Sequence, residues 1–241
     1  MNVVAGFKVV LDDTLIKVVN GQLDFNVPLK VSNYDKNAVE EAVELKEKYG
    51  GTAIGVTVGI DDRKSIKDML AMGLDEVRVV KGNYFDALST AEAIIEATKD
   101  VKTDLYIFAE QTTDGNTSSV PAMLASLLDL PLLSYVKSLR IDGRKVIAER
   151  SLGLNSETLE AELPAVISVT GEINKPRVPT VRQVLEASKK PIKYIEFSSQ
   201  PKVKIVELNP YVVNRKRVII EGNMKEAVDK LITYLKEDGV L

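Results

Sequence analysis

The residues best equipped for chemistry lie in one stretch, Ala109-Glu110-Gln111-Thr112-Thr113-Asp114-Gly115-Asn116-Thr117-Ser118-Ser119-Val120-Pro121. Gly115 frees the backbone, the Thr and Ser hydroxyls offer neutral donors, and Pro121 suits the first turn of a helix whose unpaired N–H groups attract phosphate. Together they make a cradle for a nucleotide's phosphates. The same residues also suit a plain turn at Asp114-Gly115 followed by a helix capped by Thr117 or Ser118, and both readings stand at this level. The stretch lacks the Gly-Lys-Thr of a Walker A loop and the dinucleotide G-x-G-x-x-G, which disfavours phosphoryl transfer through those machines. With no Cys and no His in 241 residues, disulfides, thiolate metal sites, Fe–S ligation and the commonest general base are excluded. Redox chemistry would have to come from a bound organic cofactor.

The cradle sits between an expected strand at 104–109 and an apolar helix bearing Leu124, Leu127 and Leu128, at the carboxyl end of a parallel strand, where open α/β sheets bind ligands. Around it, short β-branched runs at 3–11, 52–58, 76–80, 104–109 and 132–135 alternate with amphipathic segments at 36–49, 62–72 and 85–98. That alternation predicts a doubly wound, mostly parallel sheet with helices on both faces. The ends of the first, second and fourth helix-linked strands would converge on one edge. Two hairpins interrupt the pattern, 16–19 with 22–25 around Asn20-Gly21, and 136–140 with 145–150 around Asp142-Gly143. A further strand at 165–170 precedes a proline-containing segment at 172–179, a short helix at about 180–188 and the basic Lys189-Lys190-Pro191. From there to about Arg217 the chain reads as mostly extended, and a final amphipathic helix covers 224–236; such an arm usually needs another surface to pack on.

A chain of 241 residues, 45% hydrophobic, can bury a real core as one large domain or one domain plus an extension. Its 32 basic and 35 acidic residues are interspersed and leave a net charge of −3, without the basic footprint of a nucleic-acid binder. The longest apolar runs fall far short of the roughly 20 residues that span a bilayer, and residues 1–20 lack a signal-peptide layout, so a cytoplasmic location is expected.

The chain resembles the beta subunits of electron transfer flavoproteins. Gln111, Asp114, Gly115, Thr117 and Val120 fit the nucleotide signature of that family, and the likeness extends along the chain. Lys8-Val9-Val10-Leu11-Asp12 is similar to its Lys-x-Val-x-Asp, and Tyr34-Asp35-Lys36-Asn37-Ala38-Val39-Glu40-Glu41-Ala42 to its stretch ahead of the first helix. Leu70-Ala71-Met72-Gly73-Leu74-Asp75, Leu163-Pro164-Ala165-Val166 and Asn174-Lys175-Pro176-Arg177 match three further motifs in order. Ser32-Asn33 stands where the family usually has Asn-Pro, Asn116 replaces an acidic residue, Ser118-Ser119 an x-Gln pair, and Pro121 a glycine.

The resemblance implies a Rossmann-type, adenine nucleotide alpha hydrolase-like fold with hairpin insertions, carrying the nucleotide domain over residues 1–190 and an extended arm and helix over 191–241 that pack on a partner subunit. It implies a nucleotide site made of Gly6, Ser32, Asn33, Tyr34, Asp35, Val58 and Ala109 to Val120, holding AMP or, in electron-bifurcating members, a second FAD. Taken alone, Gly6 and Val58 read as ordinary core or strand residues, and only membership in the set promotes them. The redox FAD would be shared with an alpha subunit, its potential tuned across the interface by Arg150. Arg177, Val181 and Arg182, in a docking loop near 174–190, would meet flavoprotein dehydrogenases and a membrane quinone oxidoreductase, although Val181 could equally be a core residue of a solvated basic helix. The chain would then carry electrons and transform no substrate with its own residues. A stand-alone nucleotide-binding stress-type protein and an ATP-pyrophosphatase-type synthetase share the expected sheet, but their phosphate-loop sequences are missing here.

Overall fold

Strands covered on both faces need apolar side chains at nearly every position, and the centre of this protein is built from such runs. The computed structural model describes residues 1–82, 85–198, 200–211 and 215–241. The first half holds β1 (Asn2–Gly6), β2 (Val9–Leu11), β3 (Lys17–Val19), β4 (Gln22–Asp24), β5 (Leu29–Val31), α1 (Asp35–Tyr49), β6 (Thr52–Gly59), α2 (Arg63–Met72), β7 (Glu76–Lys81), α3 (Ala87–Thr98) and β8 (Leu105–Ala109). It continues through α4 (Val120–Leu128), β9 (Leu132–Asp142), β10 (Lys145–Leu152), β11 (Asn155–Glu162), β12 (Ala165–Val169), α5 (Val181–Ala187), β13 (Ile192–Glu196) and α6 (Met224–Glu237). The chain divides into two compact units, Met1–Leu208 and Asn209–Leu241. Among the described residues no helix is long and apolar enough to cross a membrane.

One nine-stranded sheet runs β11-β10-β9-β12-β8-β1-β6-β7-β13. From β9 to β13 every neighbouring pair is parallel, while β9, β10 and β11 form an antiparallel meander at the other edge. Val39 and Val43 of α1 and Ile66 and Leu70 of α2 pack with Val3, Ala5 and Ile107 on one face. Ile94 of α3 and Leu124 of α4 pack with Val4, Tyr106 and Phe108 on the other. The doubly wound α/β architecture expected from the sequence is therefore the observed one.

The sheet departs from expectation in three places. Residues 3–11 do not form one strand: the Lys8 carbonyl accepts from Ser32 N–H at 3.0 Å and its N–H donates to Asp35 at 2.7 Å, so the chain leaves the sheet after Gly6 and β2 pairs with β5 instead. Residues 132–142 are continuous, because β9 serves both β12 and the hairpin partner β10, and β11 then adds a ladder from a largely polar sequence. Finally, 192–196 is β13, paired with β7; Lys190 Nζ anchors its approach on the Leu70 and Leu74 carbonyls at 2.9 and 2.6 Å. Of the remainder of the expected arm, residues 199 and 212–214 lie outside the described residues, and 200–211 and 215–217 carry neither helix nor strand. Both expected hairpins form, with Asn20 and Gly21 at φ 51 and 77° as their turn demands.

Candidate functional site

From β1 the chain winds outward through β6 and β7, then returns to place β8 on the other side of β1. The strand order reverses between β1 and β8, and the crevice beyond their carboxyl ends is where such sheets receive ligands. Gly6 ends β1 and Ala109 ends β8. Gly6 is required by packing: a Cβ there would lie 2.2 Å from the Phe108 ring.

Three segments meet at this crevice. Ser32, fully buried, turns the chain into α1, its carbonyl accepting from Asp35 N–H at 3.1 Å. The Ser32 hydroxyl accepts from Thr113 N–H at 3.3 Å, which ties the 109–120 loop to the start of α1. Lys8, just past β1, reaches Asp114 with its ammonium at 2.6 Å, and Thr112 Oγ1 donates to the other Asp114 oxygen at 2.7 Å. Burial opposes ionisation of Asp114, but the Lys8 and Thr112 contacts outweigh it and hold the carboxyl below its usual range. Asp35 is different: burial pushes it up to about 8 against the hydrogen bond from Lys8 N–H, and the Asp114 charge adds to the rise. Glu110, anchored through its N–H to Val169 at 2.9 Å, is also raised, by burial and by Glu172.

The loop itself is sharply turned. Asn116 and Ser118 take left-handed φ values of 47 and 51°, and Ser119 Oγ donates to the Thr117 carbonyl at 2.7 Å. The expected cap at Thr117 or Ser118 does not form: Ser119 precedes α4, and among the described residues no side chain caps that helix. Its first-turn N–H groups carry no side-chain cap, and Pro121 has no N–H to leave unpaired. Thr113 Oγ1 is buried without a hydrogen-bond partner among the described residues, and a Cβ on Gly115 would meet nothing closer than 3.8 Å. An orphaned donor and an uncapped helix start fit a phosphate-bearing ligand.

Gly6, Ser32, Asn33, Tyr34, Asp35 and Ala109 to Val120 are thus gathered at one edge. Val58 is on β6, two residues beyond the rung that pairs Val56 with Gly6, and its side chain packs against the α3 face. Arg150 stands apart: the rung Ala109–Val169–Val136–Arg150 places it level with the site but three strands away, paired to Glu157 at 2.7 Å. Lys8 was not singled out as a site residue from the sequence. Its place at the head of the Lys-x-Val-x-Asp run was the available signal.

The second region is the segment from Gly171 to Ala187. Arg177 does not project as a free charge: its guanidinium grips Glu40, which is buried, at 2.9 Å and Glu47 at 2.7 Å, both on α1. Asn174 joins the same clamp, donating to the Asn37 carbonyl and to Glu41, each at 3.1 Å. Beyond the clamp, Thr180 and Gln183 form a reciprocal cap on α5. Val181 is surface rather than core, at 79% exposure, beside Val178 at 89% and Leu185 at 66%. Arg182 is exposed and paired with Glu186 one turn on, at 2.8 Å.

A model of the electron transfer flavoprotein domain matches residues 22–200. Over an alignment of 261 residues the chain is 30% identical to "Electron transfer flavoprotein subunit beta" of Thermoanaerobacterium thermosaccharolyticum, covering 100% of both chains. It is 30% identical to the protein of the same name from Bacillus subtilis over 224 residues, 87% of this chain and 86% of that one.

Proposed function

This chain belongs to the electron transfer flavoprotein family, as a beta-subunit homologue, and from that premise we propose that it is one half of a two-chain electron carrier that binds an adenine nucleotide in the crevice past β1 and β8. The single observation that carries the nucleotide reading is the 109–120 loop: tied to Ser32, opening onto an uncapped α4, and harbouring the orphaned Thr113 hydroxyl. The uncapped N–H groups and the loop hydroxyls would hold the phosphates, and Ser32 to Asp35 would wall the pocket. AMP and a second FAD both satisfy this chemistry.

The redox FAD would be shared with an alpha subunit; when bound, it supplies the capacity to take up and release electrons. This chain would cover that flavin, and α6, whose apolar Val228, Leu231 and Ile232 are exposed, would pack on the alpha subunit. Val178, Val181 and Leu185 would anchor a transient contact with a flavoprotein dehydrogenase, with a quinone oxidoreductase as acceptor and the cytoplasm as the compartment. Arg177, with Glu40 and Glu47, would hold that anchor in place on α1. The test is to denature the protein co-purified with its flavin-bearing partner and identify the released small molecules by chromatography. AMP, or FAD in excess of one per pair, supports the reading. A pair that releases no adenine compound beyond one FAD overturns the nucleotide site.

A further inference from the structure

We propose that Lys8 is the cation that receives the nucleotide's phosphate, and that Asp114 is its resting counter-ion, surrendered when the phosphate arrives. This rests on the reading that an adenine nucleotide occupies the crevice past β1 and β8. The strand that ends in Gly6 delivers Lys8 directly to the point where the sheet order reverses. The stretch from Ala109 to Pro121 contains two carboxylates, Glu110 and Asp114, and no Lys or Arg. Among the described residues Lys8 is the one cation that forms an ion pair with it. In a site with this acidic lining, a nearby positive charge that can turn to an arriving anion offsets the carboxylates.

Lys8 is built to make that turn. Its backbone is fixed at both ends, by Asp35 on its N–H and by Ser32 on its carbonyl. Its side chain is 47% exposed, and that of Asp114 39%. The backbone is therefore held while the half-exposed side chain is not. A half-exposed Lys–Asp pair contributes little. A phosphate offers more charge, and the uncapped α4 and the loop hydroxyls would already be holding it. Asp114 keeps the Thr112 hydroxyl after Lys8 leaves, so the exchange strands no carboxylate without a donor. Asp35, the other acid touching Lys8, does so through the Lys8 backbone N–H, and burial raises it to about 8.

Isothermal titration with AMP and with adenosine tests the assignment, using the full chain paired with its flavin-bearing partner and stripped of loosely held nucleotide. Wild type should bind AMP more tightly than adenosine. Lys8→Gln should weaken AMP by about 10-fold or more, the loss of one charge-assisted phosphate contact, and leave adenosine unchanged, whereas Lys8→Arg should recover most of the AMP affinity. Asp114→Asn, which removes the competing carboxylate, should tighten AMP several-fold. If Lys8→Gln leaves the AMP-to-adenosine ratio of wild type intact, or weakens both ligands equally, Lys8 has no role toward phosphate while the nucleotide site stands. If wild type binds neither ligand, the nucleotide reading itself fails and takes the Lys8 assignment with it.

Discussion

Helices α1 and α6 are near twins in sequence terms, 15 and 14 residues long and each amphipathic, yet their fates differ. α1 lays Ala38, Val39, Ala42 and Val43 against the sheet, all fully buried. Every residue of α6 is exposed or half-buried, with Val228, Leu231, Ile232 and Tyr234 among the exposed ones. Periodicity announces that a helix has an apolar face; it does not say whose surface will cover it. For α1 the cover lies in the same chain, and its polar face is put to use as well, holding Arg177 and Asn174. For α6 the apolar stripe is consistent with a cover supplied by a second polypeptide.

The largest effect should come from placing a charge in each stripe. Val43→Asp buries an unpaired carboxylate against the sheet and should abolish cooperative folding, a loss of at least about 4 kcal/mol. Leu231→Asp should leave the chain's own unfolding free energy in urea within about 0.5 kcal/mol of wild type but reduce the flavin recovered with the co-expressed partner. Equal damage to the isolated chain by both variants would erase the contrast.

The next effect concerns the first residue of α1. Asp35 rises from 3.8 to about 8 on folding, so between these values the folded chain binds more protons than the unfolded one, and stability falls as pH increases through that window. Urea unfolding at pH 5 and pH 9 should show wild type losing roughly 4 kcal/mol more than Asp35→Asn across the interval; parallel losses would mean that Asp35 is ionised in the folded chain. Smaller again is the clamp on the opposite face. Arg177→Ala leaves Glu40 buried without its cation, and should cost about 2 kcal/mol in the same assay, with Glu40→Gln in the Arg177→Ala background recovering part of it. A cost within error of zero would show that the pair contributes no more than a surface contact.

The parts of the fold that were legible in the sequence were those fixed locally or by strong periodicity. The starts and ends of α1, α2 and α3 fall within two residues of the apolar spacing that announced them, and Asn20-Gly21 turns where its backbone preference says, while the second hairpin turns one residue later than expected, at Gly143-Arg144, with Asp142 paired to Lys145. What could not be read was set by distant partners. The break after Gly6 depends on Ser32 and Asp35, more than twenty residues away. β11, with the polar sequence Asn-Ser-Glu-Thr-Leu-Glu-Ala-Glu, is a strand because β10 offers it an edge, and β13 because β7 does. The crevice followed from strand order and loop composition. The roles of Lys8 and of the Arg177 clamp did not, since the choice of an ion-pair partner is made in three dimensions.

One feature of α1 sets a fixed length scale in the molecule. Asp35 at its start belongs to the crevice and Glu47 near its end to the grip on Arg177, and at about 1.5 Å per residue some 18 Å of unbroken backbone separates them. A helix of this kind barely stretches. The spacing between the crevice and the Arg177 clamp is thus kept by a strut rather than by loops.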